Sequence, residues 1–193
     1  DDFAAKLHSA PAHFGNVHAV YHLGACSATT EKNASYLIDN NFNQTKELAA
    51  WALAQRARFI YASSAATYGD GAQGMDDHNA DLAKLRPLNM YGYSKHLFDL
   101  HAQHAGWLDR IVGVKYFNVF GPRQDPASPY SGVISIFDRR YRDGKGVTVY
   151  GDGKQTRDFV SVHDVARANV IAATTPALVS GVANICTGRA TSL

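Results

Sequence analysis

The chain predicts an α/β fold with a doubly wound parallel sheet, on two observations. Short apolar runs ending in glycine or serine alternate with longer stretches of helical periodicity, and no internal repeat or low-complexity linker breaks that alternation. A length of 193 residues with 46% hydrophobic content is enough to bury a core on both faces of such a sheet. Strands that alternate with helices pair in parallel, because each crossover returns the chain to the same end of the sheet.

Residues 18–23 read as a first strand, running into Gly24-Ala25, and 33–56 as a long helix in which Leu48, Trp51 and Ala52 recur at i, i+3 and i+4. Residues 58–62 give the next strand, followed by Ser63-Ser64, and 91–105 a helix after Pro87-Leu88-Asn89. The pattern continues with a strand at 111–117, a turn at Gly121-Pro122, a helix at 131–143, a short strand at 147–150, a helix at 162–174 and a last strand at 182–186. Ligands of open parallel sheets bind beyond the carboxyl ends of strands. Gly24 to Ser27, Ser63-Ser64, Asn118 to Gly121 and Thr187-Gly188 all fall at such ends, and are expected to converge on one cleft.

Composition excludes several classes. The formal charge is +2, and Arg139-Arg140-Tyr141-Arg142 with Lys145 reads as a solvated helix end, so no nucleic-acid partner is expected. Cys26 and Cys186 are far apart and form no CxxC, which suits a reducing cytoplasm. Among the nine histidines, His96, His101 and His104 share one expected helix, but no cysteine or carboxylate joins them at ligand spacing. A solvated helical face is the expectation for them, with no metal site. No apolar run is long enough to span a membrane, and no basic-then-apolar leader is visible. The chain opens on Asp1-Asp2 and ends just past its last strand, and reads as a fragment.

Chemistry concentrates in Tyr91-Gly92-Tyr93-Ser94-Lys95. On a helix, Tyr91 and Lys95 project from one face a turn apart. A nearby ammonium favours the phenolate, which lets a tyrosine exchange protons near neutral pH.

The order of a strand ending in Ser63-Ser64, then Ala65-Ala66-Thr67-Tyr68-Gly69-Asp70, a polar loop and the Tyr91/Lys95 helix resembles the extended short-chain dehydrogenase/reductases. The resemblance implies a Rossmann-like sheet, with residues 1–118 and 158–193 as an incomplete NAD(P)-binding domain and 119–157 as part of a small substrate lobe. It implies that Ser64 polarises a substrate hydroxyl, Tyr91 exchanges its proton, and Lys95 holds the cofactor ribose and tunes Tyr91. Its glycine-rich dinucleotide fingerprint is absent from this chain, an expected truncation that leaves NADP or NAD undecided.

Within that family, His22-Leu23-Gly24-Ala25-Cys26-Ser27-Ala28-Thr29-Thr30-Glu31, Asp39-Asn40-Asn41 and Met90-Tyr91-Gly92-Tyr93-Ser94-Lys95 resemble the ADP-glyceromanno-heptose 6-epimerases. By that resemblance Leu23, Gly24, Ala25, Cys26, Ser27, Asn40, Lys95 and Val119 line the cofactor, and Asn118 touches the substrate. Downstream, Arg123-Gln124-Asp125-Pro126-Ala127-Ser128-Pro129-Tyr130 and Gly151-Asp152-Gly153-Lys154-Gln155-Thr156-Arg157-Asp158 resemble UDP-hexose 4-epimerases instead. There Tyr150, Gly151, Asp152 and Gly153 would face the substrate and Arg157 would clamp its diphosphate, the competing role for Arg157 being an ion pair with Asp158 or a neighbour.

The second lysine acid/base of the heptose enzymes has no counterpart at its usual place, and Lys115 is a weak substitute because strand alternation can turn it from the cleft. The expected partners are a nucleotide-diphosphate sugar and, at full length, further copies of the chain. The expected activity is a heptose 6-epimerase, with a UDP-hexose 4-epimerase or a catalytically silent NAD(P)-binding sensor as alternatives.

Overall fold

The computed structural model describes residues 6, 7, 9, 11–128, 131–175 and 180–192. In chain order its elements are a 3-10 turn (Pro11–Phe14), β1 (Ala19–His22), α1 (Ala34–Leu37), a π-helical stretch (Ile38–Asn43), α2 (Gln44–Ala54), β2 (Arg58–Ser64) and another 3-10 turn (Ala65–Tyr68). A further 3-10 stretch (Asn79–Lys84) precedes α3 (Met90–His104), β3 (Ile111–Tyr116) and β4 (Asn118–Phe120). Then come α4 (Val133–Arg142), β5 (Thr156–Arg157), β6 (Phe159–Ser161), α5 (Val162–Thr174), β7 (Gly181–Ile185) and β8 (Thr191–Ser192).

Period-two alternation along the strands sorts the core onto two faces. Phe59 and Tyr61 of β2 and Ile111 of β3 pack with Leu48, Ala49 and Ala52 of α2 and Phe98 and Ala102 of α3. Ile60 of β2 and Val112 and Val114 of β3 pack on the opposite face against Ala172 of α5. Burying each of the large apolar side chains contributes about 1.5–3 kcal/mol, which is why these runs are near-continuously apolar. The four strands lie in the order β1-β2-β3-β7 with parallel pairing throughout, as the alternation of elements predicts.

Two small pairings lie beyond this sheet. β4 runs parallel to β6, and β5 pairs antiparallel with β8. Residues 191–192 are thereby tied to Arg157 and its neighbour rather than to the main sheet. The expected strand at 147–150 does not form: Val147 and Tyr150 are 46% and 82% exposed, and among the described residues no strand pairs with them. A β-prone run without a neighbouring strand leaves its backbone polar groups to water and gains nothing from extension.

Caps fix the two helix starts that matter. Ser64 Oγ accepts from the Ala66 amide at 3.1 Å, which turns the chain sharply at the end of β2. Asn89 Oδ1 accepts from the Gly92 amide at 2.7 Å and starts α3 at the Tyr91 turn.

Candidate active site

Ser64 and Tyr91 meet because a strand end and a helix start are packed together. The Ser64 hydroxyl is hydrogen-bonded to the Tyr91 phenol. Burial pushes the phenol above its ordinary value, Cys26 adds to the rise, and the Ser64 hydrogen bond opposes it. The Tyr91-to-Lys95 spacing predicts Lys95 as the group that lowers the phenol; here Ser64 does so. Lys95 lies one turn further along α3, where its charge interacts with Asp99, Cys26 and His22. Burial brings Lys95 down to about 8, with Asp99 acting to raise it.

The loop after β1 is held against this pair by a residue that sequence reasoning passed over. Buried Asn41 accepts from the Cys26 amide (2.8 Å) and donates to both the Cys26 carbonyl (3.0 Å) and Ser94 Oγ (2.9 Å). Ser94 Oγ in turn donates to the Tyr91 carbonyl at 2.7 Å. Asn41 lies within the π-helical stretch, whose wider turn sets it facing Cys26 while Asn40 bonds locally to the Tyr36 carbonyl at 2.7 Å. The Asn-Asn pair in the expected helix was the available signal, since asparagine is a poor helix former that stays where its amide is used. Leu23, Gly24 and Ser27 are exposed, and Ala25 and Cys26 are half-buried on this loop.

A second cluster gathers the far strand ends. The Asn118 amide and side-chain Nδ2 both donate to the Asp158 carbonyl, at 3.0 and 3.1 Å. The Asp158 carboxylate accepts from the Thr187 amide (2.9 Å), the Thr187 hydroxyl (2.9 Å) and the Arg189 amide (3.1 Å). Asp158 is therefore not the ion-pair partner of Arg157, whose exposed guanidinium donates only to the Thr156 carbonyl among the described residues. Val119 is half-buried on β4. Tyr150 to Gly153 form a turn, exposed from Tyr150 to Asp152, in which Asp152 Oδ1 accepts from the Lys154 amide at 3.0 Å. Among the described residues no hydrogen bond or ion pair joins this turn or Arg157 to Ser64, Tyr91 and Lys95; Pro129 and Tyr130 lie outside those residues.

The histidine face departs from expectation. His96 is buried and His101 half-buried, each with a ring nitrogen lacking a hydrogen-bond partner, and only His104 is solvated. His101 sits edge-on to Phe42 and Trp107, because this side of α3 packs on the π-helical stretch that carries Phe42. No group of three His, Cys, Asp or Glu side chains among the described residues is arranged for a metal ion. No described helix is long and apolar enough to cross a membrane.

Lys115 is fully buried. It shares its strand parity with Ile111, so it faces α3 and not the cleft. Its Nζ donates to Thr67 Oγ1 at 2.8 Å and stands 3.6 Å from Asp99 Oδ2.

The sequence profile of the NAD dependent epimerase/dehydratase family matches residues 4–186. The chain belongs to that family. Its similarity is high to an ADP-L-glycero-D-manno-heptose-6-epimerase of Nitratidesulfovibrio vulgaris (strain DP4), 44% identical over 188 residues, covering 91% of this chain and 56% of the relative. The Helicobacter pylori ADP-L-glycero-D-manno-heptose-6-epimerase superposes with a TM-score of 0.80 at 29% identity, over 94% of this chain and 57% of that one. A UDP-N-acetylglucosamine 4-epimerase from Methanobrevibacter ruminantium M1, in complex with UDP-N-acetylmuramic acid, gives 0.79 at 29% identity, over 97% of this chain and 61% of that one. The chain thus spans a little over half the length of these relatives. The 188-residue match to the heptose enzyme extends into the downstream half, whose wording in isolation resembles the hexose enzymes.

Proposed function

We propose that the full-length protein is an NAD(P)-dependent nucleotide-sugar epimerase acting on an ADP-glyceromanno-heptose. The observation that carries this is the hydrogen-bonded Ser64–Tyr91 pair with Lys95 one turn away, in a chain 44% identical to a heptose 6-epimerase. The residues present fit the ribose end of a dinucleotide. Lys95 is buried, and among the described residues its ammonium has no hydrogen bond or ion pair, so a ribose diol would satisfy it. The exposed Gly24 leaves open space where a side chain would stand. Bound there, nicotinamide supplies a reversible hydride acceptor.

The chain's own contribution is to the proton. Ser64 holds the substrate hydroxyl, and Tyr91 takes its proton on oxidation and returns it on reduction. The fully buried Lys115 does not reach the cleft, so it is not the second acid/base. One tyrosine then serves both directions while the intermediate ketone turns over in the site. Arg157, exposed and without an acidic partner among the described residues, is the proposed diphosphate clamp. Asn118 and the Tyr150–Gly153 turn complete the proposed sugar side. The two free cysteines support a cytoplasmic location. Exposed Met90 and Tyr93 on α3 are available for self-association at full length.

A UDP-hexose 4-epimerase is the second reading, favoured by the TM-score of 0.79 to a UDP-sugar 4-epimerase. Full-length enzyme assayed side by side should show higher kcat/KM for ADP-glyceromanno-heptose than for UDP-galactose; faster UDP-galactose turnover would promote the second reading. Tyr91→Phe should lower turnover by roughly 10² or more while NAD(P) still binds. Turnover within a few-fold of wild type would remove Tyr91 from its role, and no turnover of any nucleotide sugar by the wild type would leave the silent sensor.

A further inference from the structure

A buried polar chain runs beneath the cleft and connects the helix that carries Tyr91 and Lys95 to the backbone of Ser64. Asp99, one turn beyond Lys95 on α3, is fully buried and accepts from Tyr61 Oη at 2.8 Å and from Ser63 Oγ at 2.9 Å. Lys115 Nζ stands 3.6 Å from the same carboxylate and 4.3 Å from the centre of the Tyr68 ring. Its hydrogen bond goes to Thr67 Oγ1, and Thr67 Oγ1 donates to the Ser64 carbonyl at 2.8 Å. Every link is inside the protein, and none of these groups faces the cleft.

A pair of opposite charges this deep is a poor way to gain stability, because desolvating both ions offsets most of their attraction, and an apolar pair of the same volume often serves as well. What a charged, hydrogen-bonded chain does supply is direction: each donor and acceptor has one satisfactory position, and a shift of either end leaves a buried polar group unmatched. Here the two ends are the helix bearing the acid/base and the turn bearing Ser64.

We propose that Asp99, Lys115 and Thr67 are positioning residues that hold the Ser64 hydroxyl in register with Tyr91. The inference rests on the epimerase reading above. A displacement of about 1 Å in such a pair costs up to roughly 10²-fold in rate without requiring loss of substrate affinity.

The test uses the full-length protein carrying Asp99→Asn with Lys115→Met, which removes both charges together. Hydrogen–deuterium exchange of the 64–68 amides should quicken while that of α2 is unchanged. kcat should fall by roughly 10- to 10²-fold with KM within a few-fold of wild type. Adding Ser64→Ala should cost little beyond Ser64→Ala alone, because the chain acts through Ser64. Wild-type kcat with wild-type exchange overturns the proposal, and so do losses that multiply with Ser64→Ala. Should the double variant fail to fold, Thr67→Val, which cuts only the link between Lys115 and the Ser64 carbonyl, is judged by the same measurements. An inactive wild type would overturn the epimerase reading instead, and the exchange data would then decide the positioning role independently.

Discussion

At Tyr91 two effects oppose each other: burial raises the phenol and the Ser64 hydrogen bond lowers it. His22 shows a one-sided case. Thr45 gives its hydroxyl hydrogen to the Asn41 carbonyl at 2.7 Å, so His22 Nε2 carries the proton in its 2.9 Å bond to Thr45 Oγ1. Burial, aided by the charge of Lys95, brings His22 down to about 4 from 6.5. Between these values the unfolded chain binds a proton that the folded chain does not, so the contribution is fully present above pH 6.5 and is lost as pH falls toward 4. Unfolding free energies from urea titrations across that window should fall with pH, and His22→Gln should flatten the fall by on the order of 2 kcal/mol, allowing for partial exposure. Parallel slopes in the two proteins would contradict this account.

At the scale of elements, the meeting of α3 with the turn after β2 depends on a missing side chain. A Cβ on Gly92 would lie 2.7 Å from the Ala66 carbonyl oxygen and 3.0 Å from Pro87 Cβ. Ala66 belongs to the turn that Ser64 caps, and Tyr91 precedes Gly92, so the added methyl acts as a wedge between the proposed reacting pair. Gly92→Ala should destabilise the full-length protein by about 1–3 kcal/mol in thermal unfolding and lower kcat more than it raises KM. A variant with wild-type Tm and kcat would show that the helix and turn can separate freely. Neither the π-helical stretch nor the failure of 147–150 to extend was legible in the sequence. Both are outcomes of neighbours: the Cys26 backbone that Asn41 reaches, and a partner strand that 147–150 does not meet among the described residues.

Across the whole molecule, two segments far apart in sequence are stitched at the β7 end of the sheet. Tyr68 donates to Asn184 Oδ1 at 2.7 Å, while Asn184 donates from its side chain to the Met75 carbonyl and from its amide to Asp77 Oδ2, each at 2.8 Å. The polar loop between Ser64 and Tyr91 is thereby tied down by β7, more than a hundred residues later in the chain. Asp158 does the same for the ends of β4 and β7, through Asn118 and Thr187.

The sequence by itself determined the parallel α/β architecture and the positions of Ser64, Tyr91 and Lys95. Those depend on local periodicity, on caps such as Asn89, and on a helical spacing that holds in any context. Only the tertiary structure decided that Ser64 rather than Lys95 is the hydrogen-bonding partner of Tyr91, that Asn41 rather than Asn40 secures the Cys26 loop, and that His96 is buried. It also decided that Lys115 is spent on Asp99 and Thr67 beneath the cleft. Each of these turns on desolvation and on hydrogen bonds between residues distant in the chain, quantities that arise only when strand ends and helix faces are brought together.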